Sequence, residues 1–168
     1  MLGRSKRTVE LCPCQSQKQY QDCCKPFLTK KGTPENPEEL LRSRYTAFTK
    51  GKLKYIKDTM SGLAEELFDR EITKKWSIES EWRGLEIIKT EEHREDETRA
   101  FIEFIAYFKQ RGRNKFLHEI SEFKLKKGTW FYVDGQPGIS KKFRKRIQEQ
   151  QKKQELRLQE EKAIQQSQ

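Results

Sequence analysis

The spacing of apolar positions changes once along the chain, from a helical period to a strand period. Leu41, Tyr45 and Phe48 recur at helical spacing, and Leu40 and Ala47 widen their stripe. Asn36 suits an N-cap, Pro37 the first helical position and Glu39 the third, so a helix is predicted to start there and to stop at Gly51. A second, short helix is predicted over 53–60, carrying Tyr55, Ile56 and Met60, with Gly62 as its breaker. Residues 63–76 keep a helical period through Leu67, Phe68, Ile72 and Trp76. Strand patterns follow. The run 82–92 holds Trp82, Leu85, Ile87 and Ile88, and 98–110 is rich in aromatic and β-branched residues. The run 116–126 sets His118, Ile120 and Glu122 against Leu117, Ser121 and Phe123. The last strand is predicted over 130–133, closed by Asp134-Gly135, with 136–138 leaving the sheet. Residues 111–114 and 127–128 are the turn signals between strands. Helices first and an antiparallel meander after them predict an α+β fold, with the sheet curling around the helices. Ile139, Phe143 and Ile147 make one further stripe, and Leu156, Leu158 and Ile164 keep no heptad, so 139–168 is expected to be a helix that frays.

Composition adds a division of the chain. Of 168 residues, 37% are charged and only 33% hydrophobic, which leaves part of the chain outside any core; the 11% of aromatic residues supply one for the rest. No apolar run approaches the roughly 20 residues that span a bilayer. The lead-in 1–10 has basic residues but no apolar segment after them, so it does not read as a signal peptide, and a cytoplasmic location is expected. The net charge of +10 suits a nucleic-acid, ribosomal or acidic-protein partner, or simply a solvated surface. From residue 141 onward nine Lys or Arg stand against four acidic residues. Lys141, Lys142, Arg144, Lys145 and Arg146 are dense enough to follow phosphates, whereas Phe143 alone could stack on a base.

All four cysteines lie close together, as Cys12, Cys14, Cys23 and Cys24, spaced C-x-C-x8-C-C. Two disulfides or four free thiols are alternative readings. With no export signal in view, one tetrahedral Zn²⁺ site suits the ligand type and spacing better. Such a knuckle has almost no apolar core of its own, and metal binding would supply on the order of 10 kcal/mol of its folding free energy. Lys18 and Lys25 would partly offset the thiolate charge. A catalytic zinc needs an open position, and four cysteines would close it. Three segments are therefore expected: the knuckle with its lead-in over 1–28, an α+β domain over 29–138, and a basic, Gln-rich tail over 139–168.

The block Cys12-Pro13-Cys14…Tyr20…Cys23-Cys24 resembles the SEC-C motif, named for the zinc-binding end of the SecA translocation ATPase. Leu41-Arg42-Ser43-Arg44-Tyr45-Thr46-Ala47-Phe48 resembles a block of the bacterial YchJ family. Trp82-Arg83-Gly84-Leu85-Glu86-Ile87, Ala100-Phe101-Ile102-Glu103-Phe104, Leu117-His118-Glu119 and Trp130-Phe131-Tyr132-Val133-Asp134-Gly135 continue that resemblance in order. It implies a nuclear transport factor 2-like cone, a curved antiparallel sheet around helices, preceded by a zinc knuckle. It implies little about activity. The SEC-C segment of SecA contacts the SecB chaperone and the ribosome, so protein or ribosome binding is the expectation by analogy. The chain departs from the pattern at three places. Gln15 and Gln17 stand where the motif usually has glycines, which implies a different loop if those positions need a positive φ. Thr59-Met60-Ser61 replaces a Thr-Trp-His, and no cysteine follows Cys24 to make a second motif.

For the cone itself, Arg42, Arg44, Tyr45, Glu103 and His118 are the candidates for a polar cluster in an interior pocket. A structural alternative pairs Arg44 with Glu103 or Glu119 to satisfy a buried charge. His118 and Glu119 are adjacent on one strand and so point to opposite faces. His93 is expected in a charged loop. No nucleophile-and-base motif, phosphate loop or cofactor fingerprint is present. The expected function is a non-enzymatic zinc-binding module that contacts protein, ribosome or RNA; the alternative is a small-molecule-binding protein or enzyme with its site inside the cone. A cone packed solid by Phe101, Phe104, Phe108 and Trp130 would speak against the second.

Overall fold

The computed structural model describes residues 10–93 and 96–138. The basic segment 139–168, with Lys141, Lys142, Arg144, Lys145 and Arg146, lies outside the described residues, as do positions 1–9.

The chain begins as a short cysteine knuckle. Leu11 bridges Gln19, a 3-10 turn follows at Tyr20–Asp22, and Cys24 starts the one-turn helix α1, Lys25–Leu28. Helix α2, Pro37–Thr49, starts as its sequence signals require. The Asn36 side chain accepts from the Glu39 amide at 2.9 Å, and Glu39 in turn accepts from the Glu35 amide at 2.9 Å. From Leu40 to Ala47 every residue except Arg42 is buried, so α2 is enclosed rather than striped. Helix α3, Leu53–Asp58, packs Leu53 and Ile56 against Ala47. The predicted helix over 63–76 is two helices, α4 (Leu63–Glu66) and α5 (Arg70–Glu79). Asp69 interrupts them because its side chain caps α5, accepting from the Ile72 amide at 2.8 Å. Leu67 and Ile72 consequently point outward, 72% and 68% exposed.

Four strands form one antiparallel sheet in the order β1 (Ser80–His93), β2 (Asp96–Gln110), β3 (Arg113–Lys126), β4 (Thr129–Pro137). The β2–β3 and β3–β4 turns are two-residue hairpins, Arg111-Gly112 and Lys127-Gly128, each with φ values of 51° and 76°. Two successive positive φ angles match the strand twist. Strand β4 runs on to Pro137 rather than stopping at Asp134, because Gly135 and Gln136 pair with Ser121 and Ile120. His93 ends β1 instead of sitting in a loop.

Four register shifts interrupt this sheet, next to Arg83, next to Ile88 and between Glu92 and His93 on β1, and next to Val133 on β4. Each shift re-phases the alternation. Trp82, Leu85, Ile87 and Thr90 therefore all pair with interior residues of β2, namely Phe108, Ala106, Phe104 and Ile102, although the steps from Trp82 to Leu85 and from Ile87 to Thr90 are three residues rather than two. Helix α2 meets β1, β2 and β4, so the sheet wraps around it. The loop after α3 closes the open edge: Tyr132 donates to Thr59 O at 2.9 Å, and Ser61 donates to Tyr132 O at 3.0 Å. The cysteines are part of the main core, where Cys12, Cys14 and Cys24 share a cluster with Leu40, Leu41, Tyr45, Ile102 and Phe123.

Gly62 turns the chain from that edge into α4 with φ 62° and ψ −138°, and an added Cβ would sit 3.1 Å from Val133 Cγ1. Gly62→Ala is expected to cost about 1–3 kcal/mol in urea unfolding. Gly51→Ala, also at φ 62° but with nothing within 4 Å, should cost less. Equal unfolding midpoints for Gly62→Ala and the wild type would refute the strain at this turn.

Candidate metal centre and interior cavity

The knuckle forms because its first loop reverses tightly. Cys12 donates its amide to Lys18 O at 2.8 Å, and Gln15 donates back to Cys12 O at 3.1 Å. Reversal over so few residues needs left-handed backbone, and Gln15 and Gln17 supply it at φ 59° and 64°. The loop thus keeps its positive φ angles without glycine, contrary to the expectation of a different loop. Gln15 anchors its side chain on the cone, where Nε2 donates to Arg83 O at 3.1 Å. Gly84 leaves room for that amide, since a Cβ there would meet Gln15 Nε2 at 2.6 Å.

The loop brings all four sulfurs within 4.8 Å of one another. Cys14 and Cys23 are 3.6 Å apart, and Cys23 and Cys24 3.8 Å. A tetrahedral four-sulfur zinc site with bonds of about 2.3 Å has edges of roughly 3.8 Å, whereas a disulfide is about 2.05 Å long. The cysteines are therefore unpaired, and their spacing fits a metal ion. Hydrogen bonds from Cys12 and Cys24 push the Cys14 thiol far below its usual range. The same network, led by Cys12, holds Cys24 far above it, and burial pushes Cys23 up to about 11. A bound metal ion would favour the thiolate form of its ligands. Arg42 attaches the loop to α2, with Nη1 donating to Cys14 O at 2.8 Å and Nε to Glu38 at 2.8 Å. On the same side, Cys12 Sγ lies 3.7 Å from Thr46 Oγ1. An open groove of about 550 Å³ runs beside the cluster, lined by Lys18, Asp22, Cys23, Phe27, Glu38 and Arg42 among others.

A second space lies inside the cone, a cavity of about 130 Å³ between α2 and the sheet. Phe104 and Phe108 face inward without filling it, whereas Phe101 alternates to the other face of β2. Trp82 holds one wall, its ring 5.6 Å from Tyr45, 5.7 Å from Phe48, 5.0 Å from Trp76 and 5.6 Å from Phe108. Arg44 donates Nη1 to Ile56 O and to Thr59 Oγ1, both at 2.7 Å, and lies 4.5 Å from the centre of the Tyr132 ring. Burial lowers it to about 10, so the guanidinium stays charged at neutral pH. Glu119 Oε1 accepts from Ser121 Oγ at 2.6 Å and from the Tyr132 hydroxyl at 3.1 Å. Burial raises this carboxyl above its ordinary range, only partly opposed by Ser121, Tyr132 and the charge of Arg44.

The five residues expected to form one pocket cluster fall in three places. Arg44 and Tyr45 line the cavity. Arg42 faces the cysteine loop instead. Glu103 and His118 pair with each other, Oε1 to Nε2 at 2.7 Å, on the opposite face of the sheet. They pair in register with Ile120 and Ile105, one residue out of phase with the cavity-facing Phe104 and Glu119. Arg44 therefore does not pair with Glu103, and Glu119 reaches it only as a nearby charge. Ser121 and Tyr132 complete the polar end of the cavity. Parity along β3 places Ser121 with Glu119, but the register shift beside Val133 hides Tyr132 from the same count.

A sheet wrapped around a buried helix, with four cysteines seated on that helix, defines an NTF2-like α+β domain that carries a SEC-C motif. The family model described as YchJ, middle NTF2-like domain, matches residues 36–135, and the SEC-C motif matches residues 10–26. The chain belongs to the YchJ family. A UPF0225 protein of Geobacter sulfurreducens is 37% identical over 80% of this chain and 86% of its own length. A UPF0225 protein of Haemophilus influenzae is 35% identical over 76% of this chain and 78% of its own. Among solved structures, a SEC-C motif containing protein from Rhodopseudomonas palustris superposes with a TM-score of 0.69 at 33% identity, covering 77% of this chain and 98% of its own. Another, from Psychrobacter arcticus, gives 0.65 at 30% identity over 77% of this chain and 83% of its own. Among the described residues no helix is long and apolar enough to cross a membrane.

The raised carboxyl has a consequence for stability. The folded chain holds the Glu119 proton to higher pH than the unfolded chain does, so this group's contribution is full below its ordinary value of 4.5 and is lost as pH rises through the raised one. Arg44, Tyr132 and Asp134 are the charged or titratable groups around it. Glu119→Gln stays neutral throughout. Its Tm relative to the wild type should therefore climb as the pH rises above about 4.5. A difference that is flat or falls with pH would contradict the burial cost.

Proposed function

We propose that this protein is a non-enzymatic cytoplasmic zinc-binding module whose knuckle docks a macromolecular partner, with a protein or the ribosome favoured and RNA as a further contact. The observation that carries the zinc assignment is the closed cluster of four sulfurs with edges of 3.6 and 3.8 Å. Four thiolates suit Zn²⁺, and a site with four protein ligands keeps no open position for a reacting water. When bound, the ion would be held by Cys12, Cys14, Cys23 and Cys24 and would supply folding free energy rather than chemistry.

The groove beside the cluster supports docking of a polypeptide. Lys18 and Arg42 share it with Asp22, Glu38 and Glu39, and Phe27 adds an apolar surface. Mixed charges with an aromatic side chain complement a peptide better than a uniformly negative phosphate backbone. The SEC-C resemblance points the same way by analogy. For RNA, the feature in favour is the basic run Lys141, Lys142, Arg144, Lys145 and Arg146.

Metal analysis of the purified chain should give one zinc per molecule, and a Cys12→Ser, Cys14→Ser variant should lose both the zinc and capture of a partner from lysate. A native, metal-free wild type with all four thiols titratable would sink the zinc assignment, and unchanged capture by the variant would sink docking through the knuckle. Separately, truncation after Ser140 should lower co-sedimentation with ribosomes or RNA and flatten its salt dependence. Identical sedimentation curves would remove the basic run from the interface.

A further inference from the structure

The cavity inside the cone lies on a different face of α2 from the metal centre. Its volume is about 130 Å³. An engineered apolar cavity of roughly 150 Å³ takes up a single benzene molecule. The space therefore suits one six-membered ring and is too small for two fused rings. Its walls fit such a guest, because Tyr45, Trp82, Phe104 and Ala106 present flat or small apolar surfaces.

The polar end of the cavity is only half used by the protein. Arg44 spends Nη1 on Ile56 O and Thr59 Oγ1. Its Nε and Nη2 have no hydrogen-bond partner among the described residues. Glu119 spends Oε1 on Ser121 and Tyr132, and its Oε2 likewise has no partner there. Both side chains line the cavity, and both are grouped around Tyr132, one over its ring and one at its hydroxyl. The arrangement is fixed by close packing: a Cβ on Gly135 would come within 2.5 Å of Glu119 Cδ and of the Tyr132 hydroxyl. The cavity thus offers a spare donor edge beside a spare acceptor. Its complement is an acceptor beside a donor on one ring. A hydrocarbon would leave both protein groups unpaired, and a carboxylate would meet the Glu119 oxygen with like charge.

We propose that the cone cavity is a binding site for a single-ring heterocycle with a cyclic amide edge, whose carbonyl accepts from Arg44 and whose ring N–H donates to Glu119. No bond is made or broken in this step.

The test uses the full, metal-loaded chain and titrates 2-pyridone and uracil, with benzene, benzoate and adenine as controls, followed by the three indole N–H signals in NMR. Trp76 and Trp82 line the cavity and Trp130 does not, so the first two should shift and saturate with 2-pyridone or uracil while Trp130 stays still. Benzene and benzoate should bind at least about tenfold more weakly, and adenine not at all. Glu119→Met, which keeps the chain length and removes the acceptor, should weaken 2-pyridone at least about tenfold. Ala106→Leu, which fills the space, should abolish it; circular dichroism checks that each variant is folded. Two results would overturn the proposal. One is no shift at Trp76 or Trp82 with either amide at millimolar concentration, the behaviour of a cavity that holds water only. The other is binding to the folded Glu119→Met chain as tight as to the wild type. Neither result depends on whether the knuckle docks a partner.

Discussion

Helix α2 has almost no face left for water, and the rest of the domain is arranged to satisfy it. Between Leu40 and Ala47 only Arg42 is not buried. The buried residues of that stretch include a cation and the three hydroxyls of Ser43, Tyr45 and Thr46, and each buried polar group left unpaired would cost about 1–3 kcal/mol. Ser43 donates to Leu40 O at 2.9 Å and meets the Tyr55 hydroxyl at 2.8 Å. Thr46 returns its hydroxyl to Arg42 O at 3.1 Å. Arg44 donates to the Ile56 carbonyl of α3 and to the Thr59 hydroxyl just beyond it. The short helix α3 is thus positioned by polar demands of α2 as much as by the apolar contact of Ile56 with Ala47.

Arg44 and Glu119 carry opposite charges inside one small space, yet they do not form an ion pair. Tyr132 stands between them, with its ring under the guanidinium and its hydroxyl on the carboxylate. A direct pair would have used up the directional bonding of both groups. Separation leaves each partly bonded, at a cost visible in the lowered Arg44 and the raised Glu119. An apolar core of the same volume would avoid that cost, so the fold spends stability to keep polar groups at the cavity wall.

The elements with local signals were legible in the sequence. The Asn36 cap, Pro37 and the 40–48 stripe mark α2, and paired glycine turns mark the hairpins. The four cysteines were legible as one site because their spacing needs no tertiary knowledge. What was hidden depends on register. A shift in β1 beside Arg83 puts Trp82 on the face of Leu85 and Ile87 against the simple alternation, and another, on β4, brings Tyr132 to the cavity. Side-chain parity separates Glu103 and His118 from Arg44, but only once the facing of β2 is known. The break between α4 and α5 was missed because Asp69 reads as an ordinary polar residue until its side chain is seen capping the Ile72 amide. Gln15 and Gln17 show the opposite error, in which an unfavourable residue type was given too much weight. The left-handed conformation costs a glutamine roughly 1–2 kcal/mol, which anchoring on Arg83 O and closure of the cysteine cluster can offset.

The metal centre and the cavity are two sides of the same helix. Arg42 and Thr46, four residues apart, face the cysteine loop. Leu41, Arg44, Tyr45 and Phe48, at steps of three and four, face the cavity. The two faces are adjacent, and Tyr45 belongs to both surfaces, since it also borders the cleft beside Cys12 and Pro13. The knuckle is therefore no independent appendage, because its sulfurs fill the same core as Leu40, Ile102 and Phe123. Free energy gained when the four thiolates take up a cation is gained by the wall that holds Arg44 in place. A knuckle that merely hung from the domain could lose its metal without consequence for the cone. One with three of its four cysteines, Cys12, Cys14 and Cys24, only 4%, 0% and 1% exposed within the cone's own core cannot.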